Sequence, residues 1–272
     1  MSDVQMTPSL LSAGPGKPLL VVGAGLGTGV RALWGAAVPY LGDFEVVGVD
    51  LPGHGSSPAG DGDFTVADLA RAVAAVVGRQ QTGADDGGAG EAGSGAGAGR
   101  KVFYAGVSLA GAVGLQLGLD YADQFSAVAT ICSAAQFGEP QGWLDRAETV
   151  ARQGTPTQVV GSAQRWFAPG FMQSHPDRAA GLLHTLQDAD RFSYAAACRA
   201  LAAVDLRGRL SEMRVPVLAL AGELDTVYPP AVAESVAAAV LNGRAGILPG
   251  AAHQGPLEAP AETAEQLCRF FL

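Results

Sequence analysis

A serine in a short glycine-rich segment is the residue of this chain best suited to covalent chemistry. Residues 106–111 read GVSLAG, directly after the apolar run 102–105 and before a helical stretch. A serine on a sharp strand-to-helix turn projects its hydroxyl above the sheet, and small neighbours allow the close approach that such a turn requires. We therefore predict that Ser108 is a nucleophile. An ordinary glycine-rich turn is the alternative, and Ala110 stands where a glycine is usual.

This chemistry also needs a general base, because a hydroxyl becomes a good nucleophile only when a base takes its proton. The chain has four histidines. His54 precedes the serine, and His175 and His184 lie in a stretch without strand patterns. His253 follows the last apolar run and a turn of small residues, which gives the chain order nucleophile, acid, histidine. We therefore expect His253 to be the base.

An acid must fix the tautomer of the base and stabilise its charged form. Asp225 follows the apolar run 217–221 and lies between the serine and the histidine, so it is the favoured candidate. Glu223 in the same loop and Glu258 beyond the histidine compete with it, and either could be a solvated surface charge.

Two backbone N–H groups must hold the oxyanion that forms when a serine attacks a carbonyl carbon. The residue after the nucleophile, Leu109, is expected to supply the first. The second is expected from residues 23–29 (GAGLGTG), where glycines let the backbone approach a substrate and Leu26 is the best placed donor.

The glycine-rich residues 23–29 also imitate a dinucleotide-binding unit, because the apolar run 19–22 precedes them and Asp50 ends the next run. The imitation fails in detail. The motif requires a glycine at position 28, where the chain has Thr28, and Asp50 opens a turn, residues 50–57, with no reason to bind ribose. We therefore expect no cofactor.

The elements that must position these residues are short apolar runs alternating with longer helical stretches. This alternation predicts an α/β fold with a mostly parallel central sheet and helices on both faces. The predicted strands are residues 19–22, 45–49, 102–105, 127–132, 217–221 and 245–248, and the predicted helices include 66–77, 109–121 and 232–240.

Two segments depart from this alternation of strands and helices. Residues 82–99 are rich in glycine and alanine and have too little apolar surface to offset their ordering entropy, so they predict a flexible loop. In residues 136–208 strand patterns stop and helical patterns with bulky aromatic residues take over, which predicts an inserted helical cap. The core domain is then formed by residues 1–135 and 209–272.

Composition narrows the possible functions. The 272 residues are 48% hydrophobic and 16% charged, which is typical of a globular protein with a sizeable core. A net charge of −9 argues against nucleic acid and anionic membrane partners. Three widely spaced cysteines predict neither a disulfide framework nor a metal site. Since no export signal or long apolar run is present, we expect a cytoplasmic protein, either a monomer or a small homo-oligomer.

From residue 19 to the C-terminus, excluding residues 82–99, the chain resembles the 3-oxoadipate enol-lactonase family of α/β-hydrolases. The Ser108 turn and residues 50–57 and 251–260 are features of α/β-hydrolases in general. The features that resemble the enol-lactonases specifically are residues 25–28, Trp34, residues 133–135, Trp143, Arg146, and residues 165–167, 198–201 and 205–207. The resemblance implies an α/β-hydrolase fold with a helical cap. It also implies hydrolysis of a small carboxylated enol-lactone through an acyl-enzyme, without cofactor or metal.

The resemblance also suggests substrate-binding residues in the cap. Trp143 and Trp166 would shape an apolar pocket, and Arg146 or Arg165 would orient the carboxylate, with packing and salt bridges inside the cap as the alternative. Gln136 stands where family members often carry a basic residue, and a glutamine suits a less charged lactone or a different ester. The open alternatives are an esterase, a C–C hydrolase or cyclase of the same fold, and a non-catalytic binding protein.

Overall fold

The computed structural model describes residues 4–82 and 99–272. These residues form a seven-stranded sheet with the strand order β1-β3-β2-β4-β5-β6-β7. Strand β1 pairs antiparallel with β3, and every other neighbouring pair is parallel. The strands are β1 (Pro8–Ser12), β2 (Leu19–Gly23), β3 (Glu45–Val49), β4 (Val102–Val107), β5 (Ala127–Ile131), β6 (Val217–Gly222) and β7 (Gly243–Leu248).

Helices connect the parallel strands. Every residue of β2, β4, β5 and β6 is buried, so both faces of the central sheet are covered and the strands read as continuous apolar runs. The helices are α1 (Val30–Trp34), α2 (Val66–Thr82), α3 (Leu109–Asp120), α4 (Pro140–Gln153), α5 (Val159–Trp166), α6 (Phe171–Ser174), α7 (Pro176–Asp188), α8 (Arg191–Ala203), α9 (Pro230–Ala239), α10 (Gly255–Glu258) and α11 (Pro260–Phe271).

The predicted α/β class with a mostly parallel sheet is confirmed. The bounds of several elements differ from the prediction by one or two residues, and two differences are larger. Strand β1 was not predicted, because this short edge strand has only one fully buried residue and lacks a continuous apolar run. Helix α2 continues to Thr82, the first residue of the predicted flexible loop. Residues 83–98 of that loop lie outside the described residues.

Helices α4 to α8 lie between β5 and β6 and belong to residues 136–208, here called the cap segment. The two ends of this segment meet. Gln136 and Asp205 form an antiparallel bridge, and the N–H of Leu206 donates to the carbonyl of Ala135 at 2.8 Å. The sheet order is therefore unaffected by the segment, because β5 and β6 remain parallel neighbours on either side of it.

None of the helices in residues 4–82 and 99–272 has the length and hydropathy needed to cross a membrane.

Candidate active site

Ser108 occupies the sharp turn between β4 and α3. Its backbone has φ 55° and ψ −119°, a conformation that costs a non-glycine residue about 1–3 kcal/mol. Neighbouring groups hold it there: the N–H of Ser108 donates to the carbonyl of Ile131 at 2.9 Å, and the hydroxyl of Ser133 donates to the carbonyl of Ser108 at 2.6 Å. The turn therefore presents the Ser108 side chain at the end of the central strand β4.

Small residues make this turn possible, including at the position where the sequence departs from the usual glycine. A Cβ on Gly106 would collide with the carbonyl group of Ala110. The methyl group of Ala110 itself lies against Gly23, where an added Cβ would be 2.7 Å away. The extra methyl of Ala110 is thus accommodated because Gly23 on the adjacent strand has no side chain.

His253 and Asp225 form a buried hydrogen-bonded pair. The Nδ1 atom of His253 lies 2.9 Å from Oδ2 of Asp225, and the two residues are 4% and 3% exposed. The other carboxylate oxygen, Oδ1, accepts the N–H groups of Val227 and Tyr228 at 2.7 and 3.1 Å. Since an ionised carboxylate can only accept, Nδ1 of His253 carries the proton, and Nε2 is the nitrogen able to accept one.

The two competing acids have other partners. Glu223 accepts the N–H of Gly250 at 2.8 Å through Oε2. Glu258 accepts three backbone N–H groups. Among the described residues, Asp225 is the acid that hydrogen-bonds to the His253 ring.

The loop after β2 approaches Ser108 closely. A Cβ on Gly25 would lie 3.1 Å from Cβ of Ser108, so the loop leaves little room for a side chain at this point. Within the described part of the chain, the backbone N–H groups of Leu26 and Leu109 donate no hydrogen bond. Two unused donors beside a serine are the arrangement that can stabilise an oxyanion.

Asp50 holds the glycine-rich loop in place and is not available to a ribose. This residue is buried, its Oδ1 accepts the N–H of Val30 at 2.7 Å, and its Oδ2 accepts the N–H and hydroxyl of Ser56, both at 3.0 Å. Thr28 folds back so that its hydroxyl donates to the carbonyl of Gly25 at 2.8 Å. Asp50 and Thr28 therefore serve to fold the loop, and the similarity of this region to a dinucleotide-binding motif has a structural origin.

Ser108 and His253 open onto one cavity of about 180 Å³. Four of the residues predicted to bind substrate line it, namely Trp143, Arg146, Arg165 and Trp166. Among the described residues, Gln136 does not belong to the lining: its side-chain amide donates to the carbonyl of Gly138. The remaining lining residues are Gly25, Leu26, Ser162, Tyr194, Leu201, Val227, Tyr228 and Gln254.

The charge of this cavity is positive. None of the described lining residues is acidic, and neither Arg146 nor Arg165 forms a salt bridge with a described acid. The Arg146 guanidinium lies 4.6 Å from the ring centroid of Trp143, and its charge acts against the rise in the pKa of Tyr194 that burial causes. Burial, and then the charge of Arg146, lower the pKa of Arg165. Two close guanidinium groups without an acid can receive an anion.

Cys132 was missed by the sequence analysis as a neighbour of this site. It has a positive φ of 48°, and its sulfur lies with ligand atoms of Asp225 and His253 in a group whose members are all within 4.8 Å. Burial, followed by the charge of Asp225, raises the pKa of the Cys132 thiol well above its usual value, and the thiol donates to the carbonyl of Ala252 at 3.4 Å. The Cys132 thiol therefore lies beside the His253–Asp225 pair and hydrogen-bonds to the backbone carbonyl next to His253.

Tyr194, Tyr228 and Gln254 also line the cavity without having been predicted. Gln254 could have been suspected because it follows His253 directly. Tyr194 lies in α8, where neither a motif nor the helical pattern distinguishes a cavity residue from a core residue. Its position becomes apparent only when the cap segment is folded against the sheet.

His54, behind Tyr194, supports a prediction on pH. Burial lowers the pKa of His54 from its ordinary value of 6.5, although the Pro52 carbonyl, Asp50 and Asp190 favour the charged form. At His54 the unfolded chain therefore binds a proton more readily than the folded chain as the pH falls below 6.5. We expect the free energy of unfolding to decrease, by up to about 1.4 kcal/mol per pH unit, as the pH falls through this window.

The measurement is denaturant unfolding between neutral and mildly acidic pH, compared with the variant His54→Asn. The variant removes the titrating ring and keeps an amide that can donate to the Pro52 carbonyl, as Nδ1 of His54 does at 2.8 Å. Its stability should decrease less steeply over the same pH range. Equal slopes for the two proteins would contradict the prediction.

Comparisons with known proteins agree with this architecture. The alpha/beta hydrolase family matches residues 19–266. The chain is 30% identical to 3-oxoadipate enol-lactonase 2 of Acinetobacter baylyi over 78% of this chain and 73% of that protein. It is 28% identical to the pimeloyl-[acyl-carrier protein] methyl ester esterase of Edwardsiella ictaluri over 95% of both chains.

A solved structure also has a similar fold. The enol-lactonase from Burkholderia xenovorans LB400 superposes with a TM-score of 0.86 and 25% identity, covering 97% of this chain and 95% of that one. The predictions of the fold, of the resemblance and of a hydrolytic enzyme are thereby confirmed. The match over most of the chain, together with the sheet order and the serine turn, shows that the chain belongs to the alpha/beta hydrolase family.

Proposed function

We propose that this enzyme is a serine hydrolase that opens a small carboxylated enol-lactone through an acyl-enzyme. The observation that carries the proposal is one cavity lined by Ser108, by His253 with its buried partner Asp225 behind it, and by two arginines without described acidic partners. The similarity to proteins named enol-lactonases supports the same substrate class.

In this mechanism Nε2 of His253 takes the hydroxyl proton of Ser108, and the serine oxygen attacks the lactone carbonyl carbon. The N–H groups of Leu26 and Leu109 hold the oxyanion. Collapse of the tetrahedral intermediate breaks the ring C–O bond and leaves an acyl-enzyme with the opened chain still attached. The departing enol oxygen receives the proton from His253, which returns the imidazole to the neutral form that the next step requires.

Water then completes the reaction. His253 takes a proton from a water molecule that attacks the acyl carbon, and Ser108 leaves with the proton that His253 returns. Asp225 keeps the imidazole oriented and stabilises its charged form, because its carboxylate stays fixed by two backbone N–H groups. The product has gained a carboxylate, which the positively charged cavity can also contact.

A second candidate is hydrolysis of a methyl ester of a dicarboxylic acid. It is supported by the similarity to named methyl ester esterases over nearly the full length of both chains. The same serine, histidine and acid would act, and the leaving group would be methanol. The arginines would then contact a carboxylate or other anionic group at the far end of the acyl chain.

A substrate panel tests the proposal. We expect kcat/KM for a carboxylated five-membered enol-lactone to exceed that of the same lactone as a neutral methyl ester by about tenfold or more, because one charge-assisted contact contributes about 1.5–3 kcal/mol. Monomethyl pimelate and a saturated lactone complete the panel. A higher kcat/KM for monomethyl pimelate would favour the esterase instead. A lack of preference for the carboxylated lactone would contradict the proposed substrate.

A further inference from the structure

Glu258, the last residue of α10, makes three hydrogen bonds that join two separate parts of the chain. Its Oε1 accepts the N–H of Ala168 in the cap segment at 2.6 Å. Its Oε2 accepts the N–H groups of Ala252 and Gln254, both at 3.0 Å. One carboxylate thus binds the cap segment with one oxygen and the loop around His253 with the other.

The two parts that Glu258 joins both contribute to the cavity. Ala252 and Gln254 flank His253, so the backbone of the histidine is held on both sides. His253 itself donates its backbone N–H to the carbonyl of Trp166 at 3.1 Å, and Trp166 lines the cavity. The backbones of residues 166–168 and 252–254 are therefore linked directly and through Glu258.

Burying the Glu258 carboxylate costs free energy, and its hydrogen bonds must offset that cost. Burial raises the pKa of the Glu258 carboxyl, whereas the three N–H groups and His253 act in the opposite direction. A partly buried acid beside a cavity that must receive an anion is unfavourable unless its oxygens are satisfied. Because both oxygens accept backbone N–H groups, the carboxylate stabilises two backbone segments and leaves the cavity lining free of acid.

We propose that Glu258 is a positioning residue that sets the cap segment and the histidine loop in one fixed relation. It acts through backbone N–H groups, so it keeps the His253 ring and the Trp166 wall of the cavity at the spacing that the substrate needs. The proposal rests on the role of His253 as general base in the proposed function. It assigns to Glu258 a task different from that of Asp225, which contacts the imidazole directly.

The variant Glu258→Gln should break the hydrogen bond to the cap segment and keep the hydrogen bonds to the loop around His253. Glutamine has one acceptor oxygen, which can still accept from Ala252 and Gln254, and its NH2 group then faces the N–H of Ala168. We expect KM for p-nitrophenyl butyrate to rise about threefold to tenfold with kcat within twofold of the parent, because the cap contact is lost and the histidine loop is kept.

The variant Glu258→Ala removes all three bonds. We expect kcat to decrease about 10-fold to 100-fold in addition to the rise in KM, because the backbone on both sides of His253 is released. The downfield proton resonance of Nδ1–H in the His253–Asp225 pair should persist in Glu258→Gln and broaden or shift in Glu258→Ala. If Glu258 served stability alone, both substitutions would lower the melting temperature, but they would not differ in their effects on kcat and on the Nδ1–H resonance.

Glu223→Gln is the matched control, since Glu223 is an exposed carboxylate that accepts one N–H, from Gly250, ahead of the same histidine loop. Its kcat and KM should equal those of the parent. Kinetics are measured well below the melting temperature of each variant. If Glu258→Gln and Glu258→Ala both retained the kcat and KM of the parent, the positioning role would be wrong.

Failure of this proposal and failure of the proposed function give different results. Labelling of the parent protein by a fluorophosphonate probes Ser108 directly, without any assumption on the lactone. A parent that is not labelled and does not hydrolyse p-nitrophenyl butyrate would overturn the serine mechanism and the Glu258 proposal with it. A labelled, active parent with kinetically unchanged Glu258 variants would overturn the Glu258 proposal alone.

Discussion

Replacing Ser108 by alanine should lower kcat/KM for ester or lactone hydrolysis by at least about a thousandfold while the melting temperature stays within a few degrees of the parent. The alanine removes the oxygen that forms the acyl-enzyme. The N–H groups of Leu26 and Leu109 remain, so any residual rate reflects binding and oxyanion contacts without a nucleophile. The measurement is kcat/KM of the parent and of the variant, with the substrate of the panel that the parent hydrolyses best.

Ser108→Gly is a useful companion because it separates chemistry from backbone strain. Alanine keeps the cost of a φ of 55° at this position, whereas glycine adopts such a conformation freely. Both variants should be inactive, and Ser108→Gly should be the more stable of the two, by about 1 kcal/mol in denaturant unfolding. Full activity in either variant would mean that another group is the nucleophile.

The second large effect is expected at the two arginines of the cavity. Arg146→Gln and Arg165→Gln should each raise KM for the carboxylated enol-lactone by about 10-fold to 100-fold. Neither guanidinium has a described acidic partner, so each can direct its charge towards a substrate carboxylate. For the neutral methyl ester of the same lactone, KM should change by less than a few fold, because no charge-assisted contact is lost.

Arg152→Gln is the control for this experiment. Arg152 lies on α4, the same helix as Arg146, but it is largely exposed and pairs with Glu148 at 3.6 Å. Its loss should leave KM for both lactones unchanged, since a surface ion pair contributes little. If Arg146→Gln raised KM equally for the carboxylated and the neutral lactone, the arginine would shape the cavity without contacting the carboxylate.

The chain order of a few residue types was enough to select Ser108, Asp225 and His253. Each follows a strand of the parallel part of the sheet, and the carboxyl ends of such strands lie at one edge, so residues far apart in sequence converge there. The structure places Asp225 and His253 in hydrogen-bond contact and Ser108 on the same cavity. Local pattern and topology together are the basis for choosing these three residues, and their catalytic roles stay a prediction.

Features that depend on distant contacts could not be predicted in the same way. Strand β1 is defined by pairing with β3 rather than by its own pattern. Gln136 was expected to contact substrate, yet it bonds to Gly138 and bridges Asp205. Glu258 appeared only as a weak competitor for the acid, because its three N–H partners come from segments that the sequence does not connect.

The meeting of the two ends of the cap segment has a consequence for how enzymes of this kind diversify. Gln136 and Asp205 are neighbours, so the polypeptide leaves the sheet and returns to it at nearly one point. Lengthening or exchanging such a closed excursion costs little chain entropy and does not shift the pairing of β5 with β6. Natural selection can therefore remodel the substrate chamber as a replaceable module while the machinery for bond cleavage on the sheet is inherited intact.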